Sequence, residues 1–287
     1  MIAAAVLQAL NGASLAALLF LVASGFTLTF GLMRVVNMAH GGYYLLGGYV
    51  GLTVVEVTGS FGLGVLGGGG AVVLLGLLVD RLLLRRIGEN HLAQVLLTVG
   101  VAFVIGDVAL RIWGGDSLKV PVPPALRGAV ALPGGLVYPT YRLALLGLGA
   151  AVATVLWALY RRTQLGAVVR AGVDDREQVS ATGVNIDRLF LLVSALASFL
   201  AGAAGVVGGA FLTLYPGAEW EILIVALVVV IVGGLGSLEG AIVGAVIVGL
   251  LDAYGRWLLP EFSYFVLFGP MAVLLLVRPR GLFGREA

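Results

Sequence analysis

Read for hydrophobic and polar positions, the chain is a series of long apolar stretches separated by short polar breaks. A membrane-crossing helix needs about 20 mainly apolar residues. Stretches of that order run over Ile2–Leu32, Phe61–Val79, Leu92–Trp113, Tyr141–Tyr160 and Leu189–Leu214, and shorter ones cover Tyr43–Val57 and Tyr264–Val277. Ile222–Leu259 is too long for one span and holds VGGLGSLEGA (Val232–Ala241) at its centre, which predicts two short spans or a helix interrupted inside the membrane. The first stretch exceeds the roughly 7–15 apolar residues of a signal peptide, so a cleaved leader is not expected. The expected fold is an all-α, polytopic transmembrane helical bundle of about eight spans, within seven to ten, forming one membrane-spanning domain over residues 1–287.

Composition sharpens this. Hydrophobic types make up 60 % of the residues and charged types 11 %, against about 25 % charged in soluble domains. Too few polar residues remain to cover a water-soluble surface, and disordered chains are poor in apolar residues. With no cysteine there is no disulfide, thiolate metal site or thiol nucleophile, and His40 and His91 are too few for a histidine-rich metal site. The phosphate-cradling G-x-x-x-x-G-K-[ST] loop is absent, as are H-E-x-x-H and G-x-S-x-G; the single lysine is Lys119 in DSLKV. No catalytic or metal residue is therefore expected, and any nucleotide hydrolysis must belong to another chain.

Charge placement orients the bundle. Arg81, Arg85 and Arg86 share one connection, Arg161, Arg162, Arg170, Arg176 and Arg188 another, and Arg278, Arg280 and Arg285 the C-terminal tail. The positive-inside rule puts these, and the C-terminus, in the cytoplasm. The loop Gly114–Pro139, with five prolines, fits either an ordered extracytoplasmic cap or a solvated linker.

Glycine is patterned. Gly41, Gly42, Gly47, Gly48 and Gly51 open one helix, and Gly233, Gly234, Gly236, Gly240, Gly244 and Gly249 another. Small residues three or four apart let transmembrane helices approach closely. The other reading is an interrupted helix whose freed backbone lines a polar path, occurring once in each half as in transporters with an internal repeat. On that reading Asn37, His40, Gly41 and Gly42, with Gly233, Gly234, Gly236 and Ser237, form the substrate path, the two segments lying near each other. Arg34, Asn37 and His40, three apart, would share one face of a helix. Asp107 and Asp252 are read as the carboxylates within spans, with Asp252 paired to Arg256 four residues on. The connection of about 162–188 predicts short helices over Ala167–Arg176 and Glu177–Thr182, ended by Gly183; it suits either a docking element or a loop lying on the interface.

These blocks carry a family resemblance. MRVVNMAHGGYYLLGGY (Met33–Tyr49) closely resembles the signature of the H-type permease of bacterial branched-chain amino acid ABC transporters, the Liv family. Arg162–Arg188 resembles that family's cytoplasmic coupling loop, and Val228–Leu251 and RPRGLFG (Arg278–Gly284) its C-terminal half, all in collinear order. The resemblance implies a permease subunit of the bacterial inner membrane, passing branched-chain or other hydrophobic amino acids by alternating access. It implies a second, related permease, two cytoplasmic ATPases that bind ATP and Mg, and an extracytoplasmic substrate-binding protein, with no cofactor on this chain and no nucleic acid. Within the loop, Gly166, Arg170, Asp174, Asp175 and Gly183 are the expected coupling residues. Relatives with the same blocks look like permeases for urea or short amides, and a stand-alone secondary transporter or channel is the rival class.

Overall fold

A computed structural model describes residues 1–33, 37–88, 90–174, 179 and 183–284. The helices are α1 (Ile2–Met33), α2 (His40–Thr58), α3 (Phe61–Val79), α4 (His91–Trp113), α5 (Thr140–Arg162), α6 (Gln164–Asp174), α7 (Ile186–Phe211), α8 (Ala218–Gly233), α9 (Leu238–Leu258) and α10 (Ser263–Val277). Four of them start on a polar N-cap that satisfies an otherwise orphaned N–H. Ser60, Asn90, Asn185 and Ser237 accept from Leu63, Ala93, Arg188 and Gly240 at 3.0–3.3 Å. Below Val79, α3 runs on through a π-turn, Asp80–Leu84, and a last turn, Arg85–Ile87.

The bundle has two ends. At one, the 114–139 loop is an ordered cap with a 3-10 turn, Pro124–Leu126, and the hairpin β1 (Ala129–Leu132) and β2 (Leu136–Pro139), an exception to the all-helical expectation. Leu118 and Leu214 exchange two backbone hydrogen bonds of 2.8 Å, and the Tyr138 hydroxyl meets Ser14 Oγ at 3.0 Å. These bonds tie the cap to the segment just past α7 and to the first half of α1, so the solvated-linker alternative does not hold. The other end carries Arg81, Arg85, Arg86, Arg161, Arg162 and the tail from Arg278.

Helix α1 is the central post, its middle buried from Ala16 to Val22 against α5, α7, α8 and α9. Helices α2, α3 and α7 meet through glycine: the spaces where Gly47 and Gly202 would carry side chains are filled by each other's surroundings, Gly202 backbone and Val72 respectively. That lets the helix backbones approach closely, as small residues do in membranes. Helices α4 and α5 expose most of their apolar side chains outward. Among the described residues, six helices are long and apolar enough to cross a membrane, those of α1, α3 with its extension, α4, α5, α7 and α9. The region Ile222–Leu259 is two helices, broken at Gly234–Ser237.

Candidate functional site

The break before α2 lies inside the bundle. The Met38 N–H donates to Thr98 Oγ1 at 3.0 Å, and Thr98 stands seven residues along α4, about 10 Å from its start. Asn37 is not on a helix: it sits in the turn before His40, where its Oδ1 accepts from the Ala39 N–H at 3.0 Å. The shared face expected for Asn37 and His40 is therefore absent, because α2 begins only at His40; Arg34 lies outside the described residues. His40 is buried, its Nε2 2.9 Å from the Val22 carbonyl of α1 and its ring edge-on to Phe26. It pins α2 to α1 rather than facing open space. Gly42 packs on Ala102 and Ile105 of α4, and Gly41 on the Glu219 carbonyl and Leu223 of α8.

That last contact leads to a residue outside the sequence reading. Glu219 is 5 % exposed and lies in the first turn of α8, clamped between Gly41 of α2 and Gly106 of α4. Its Oε2 accepts from the Gly217 N–H at 2.8 Å. Its Oε1 lies 2.9 Å from the point where Gly106 would carry a Cβ. The neighbouring Trp220 packs on Phe103 of α4, and two buried tyrosines of α2, Tyr44 and Tyr49, have no hydrogen-bond partner for their hydroxyls among the described residues. Of the carboxylates singled out from sequence, Asp252 pairs with Arg256 at 2.9 Å as expected, while Asp107 points outward from α4. In sequence Glu219 stands outside the apolar run that begins at Ile222, so hydropathy alone does not mark it. The signal was AEWE directly after the turn residues Pro216 and Gly217.

The second break is at the arginine end. Gly234 and Gly236 have φ of +103° and +79°, which side-chain-bearing residues rarely adopt, and Ser237 caps α9. The C-terminal segment closes this break with its own backbone: Leu282 N–H donates to the Val232 carbonyl at 3.0 Å and Phe283 N–H to that of Gly233 at 2.9 Å. Gly236 also abuts Gly31 near the end of α1, and Gly233 abuts Gly240. The structure does not bring the Asn37–Gly42 and Gly233–Ser237 segments together. Helix α8 holds them apart: Gly41 touches its start at Glu219, and Gly234 follows fifteen residues later, about 22 Å along the axis.

In the arginine-end connection, α6 (Gln164–Asp174) begins before the expected Ala167, because Thr163 Oγ1 accepts from the Gly166 N–H at 3.1 Å; the expected end at Arg176 lies outside the described residues. Gly166 is buried against the Leu159 and Tyr160 carbonyls. Arg170 folds back, donating to the Tyr160 carbonyl and covering that ring at 5.2 Å from its centroid. It braces the α5–α6 corner. Asp174 ends α6, whereas Asp175 and most of the helix expected over Glu177–Thr182 lie outside the described residues. Gly183 adopts φ of +84° before Asn185 caps α7. Val179 packs with Ile186, Leu189, Phe190 and Val193, and with Leu28 of α1, rooting the connection in an apolar cluster. Arg161 at the end of α5 forms a 2.8 Å ion pair with Glu239, just past the α8–α9 break.

Residues 8–275 match the family described as branched-chain amino acid transport system / permease component. The chain is 25 % identical over 294 residues to the high-affinity branched-chain amino acid transport system permease protein BraD of Pseudomonas aeruginosa, covering 97 % of this chain and 95 % of that one. It is 26 % identical over 302 residues to the corresponding protein LivH of Escherichia coli, with the same coverage. The probable branched-chain amino acid transport permease protein LivH of Methanocaldococcus jannaschii is 27 % identical over 93 % of this chain and 89 % of its own. No solved structure matches.

Proposed function

The chain belongs to the branched-chain amino acid transport system permease family, and from that premise we propose that it is the permease subunit of an ATP-driven importer for branched-chain or other hydrophobic amino acids. The observation that carries this reading is similarity along nearly the whole chain to permeases of that named transport class. With α2, α8 and α10, the six long helices make nine crossings, which carry the chain from the cap end, where α1 begins, to the arginine end, where the tail lies. Helix α2, 19 residues long and starting in mid-bundle, returns the chain to the cap end. The arginine end and the C-terminus face the cytoplasm.

Substrate passes beside the start of α2, where backbone freed from helix must be satisfied by protein or by water. The α5–α6 corner, braced by Arg170 and Gly166, and the exit at Gly183 take up movement from a cytoplasmic ATPase. A second permease, two ATPases carrying ATP and Mg, and an extracytoplasmic binding protein complete the assembly, and alternating access follows ATPase closure. In proteoliposomes holding that assembly, leucine uptake should require ATP and the binding protein, and the chain alone should take up none. Uptake by the chain alone on an ion gradient would overturn the reading in favour of a secondary transporter.

A further inference from the structure

We propose that Glu219 is the residue that recognises the protonated amino group of the cargo, so that the permease itself selects for substrates bearing an ammonium. This rests on the transport reading above and deepens it.

The geometry points to a cation. Glu219 is 5 % exposed, yet its carboxylate receives one neutral hydrogen bond, from the Gly217 N–H at 2.8 Å to Oε2. Among the described residues Oε1 receives none, and the ion pairs are Arg85 with Asp80, Arg161 with Glu239 and Arg256 with Asp252, none involving Glu219. A carboxylate within a bundle in lipid is expensive unless a positive charge or several donors meet it, and such residues mark substrate or ion pathways. Its placement is also built. Gly106 is bare where any side chain would start 2.9 Å from Oε1, and Gly41 is bare where one would strike the Glu219 carbonyl. Two helices thus keep glycine at the positions that let this carboxylate sit in the bundle. A carboxylate with an oxygen that receives no hydrogen bond suits the N–H donors of an ammonium. The adjacent Trp220, packed on Phe103 of α4, gives an apolar side chain a neighbourhood.

The test uses the complete transporter in proteoliposomes with radiolabelled leucine, wild type against Glu219→Gln and Glu219→Asp. Glutamine keeps the size, and its carbonyl oxygen still accepts from Gly217, but it has no charge for an ammonium. Glu219→Gln should raise KM for leucine at least tenfold, the scale of a hydrogen bond to a charged group. Its thermal melting should stay at the wild-type value. Glu219→Asp should fall between the two. Leucinamide, which keeps the ammonium, should compete with leucine in wild type and lose that ability in Glu219→Gln, and 4-methylpentanoate, which lacks it, should compete in neither. Unchanged leucine kinetics in Glu219→Gln would overturn the inference, leaving a neutral cap of α8. Equal competition by 4-methylpentanoate and leucinamide would overturn it too. Wild-type uptake that vanishes in choline buffer and returns with sodium, with leucinamide not competing, would give the site to a coupling cation instead. Absence of any leucine uptake by wild type would sink the transport reading itself, a result distinct from the others.

Discussion

At the break before α2, loose backbone is met by side chains: Thr98 of α4 takes the Met38 N–H and Asn37 of the same turn the Ala39 N–H, while His40 clasps a carbonyl of α1. At the α8–α9 break, the loose carbonyls of Val232 and Gly233 are met by backbone N–H groups of the C-terminal segment. The difference follows from depth. In mid-bundle no extra strand of chain is at hand, so the neighbours must contribute polar side chains, each needing its own partner in a dry interior. At the arginine end a returning segment is available, and backbone pairing leaves no side chain to be buried. The inner break is therefore tuned by residue identity, and the outer one by conformation.

Substitutions at the inner break should do the most damage. Gly41→Val drives a branched side chain into the Glu219 carbonyl and Leu223 at the point where α2 and α8 touch. Overpacking of that kind costs about 3 kcal/mol. We expect loss of a monodisperse permease in detergent and of uptake, and a variant that melts like wild type would remove the inner break's claim to rigidity. Next comes Gly234→Ala, which forces a side chain onto φ of +103° and against the backbone of Phe283 and Gly284. Strain alone is about 1–3 kcal/mol. Melting should fall, and hydrogen exchange should rise at Leu282 and Phe283 while the Met38 amide stays protected. Increased exchange at both breaks would mean that they are one mechanical unit. The smallest effect is expected from Ser237→Ala, which removes the α9 cap and should cost about 1 kcal/mol with uptake kept.

Much of this architecture is written locally. Apolar stretches, Ser and Asn caps, and the glycine-interrupted VGGLGSLEGA place nearly every helix and the second break, because each signal lies within a few residues of what it specifies. The H-type signature locates the inner break, since HGG falls at the start of α2. What escaped was set by packing between distant segments. Whether Asn37 continues a helix with His40 depends on Ala39 and on Thr98, sixty positions from Met38. Arg170 reads as a docking charge in sequence, and that it also folds onto its own corner is visible only in space. Glu219 looks like a polar loop residue before an apolar run, and only the bare positions at Gly41 and Gly106 reveal it as buried. The separation of the two breaks by the length of α8 is likewise a property of the assembled bundle.

The pairing of Leu282 and Phe283 with the end of α8 also bears on the order in which the protein is made. Their partners, Val232 and Gly233, precede them by fifty positions. At about 5–20 residues per second of synthesis, roughly 3–10 s separate the two halves of this contact. Throughout that interval the α8 carbonyls have no strand to meet, and α9 and α10 must insert with the break still open. The final packing of the arginine end therefore waits on translation, and a stall or truncation anywhere after α9 leaves a bundle whose helices have inserted but whose second break has never closed.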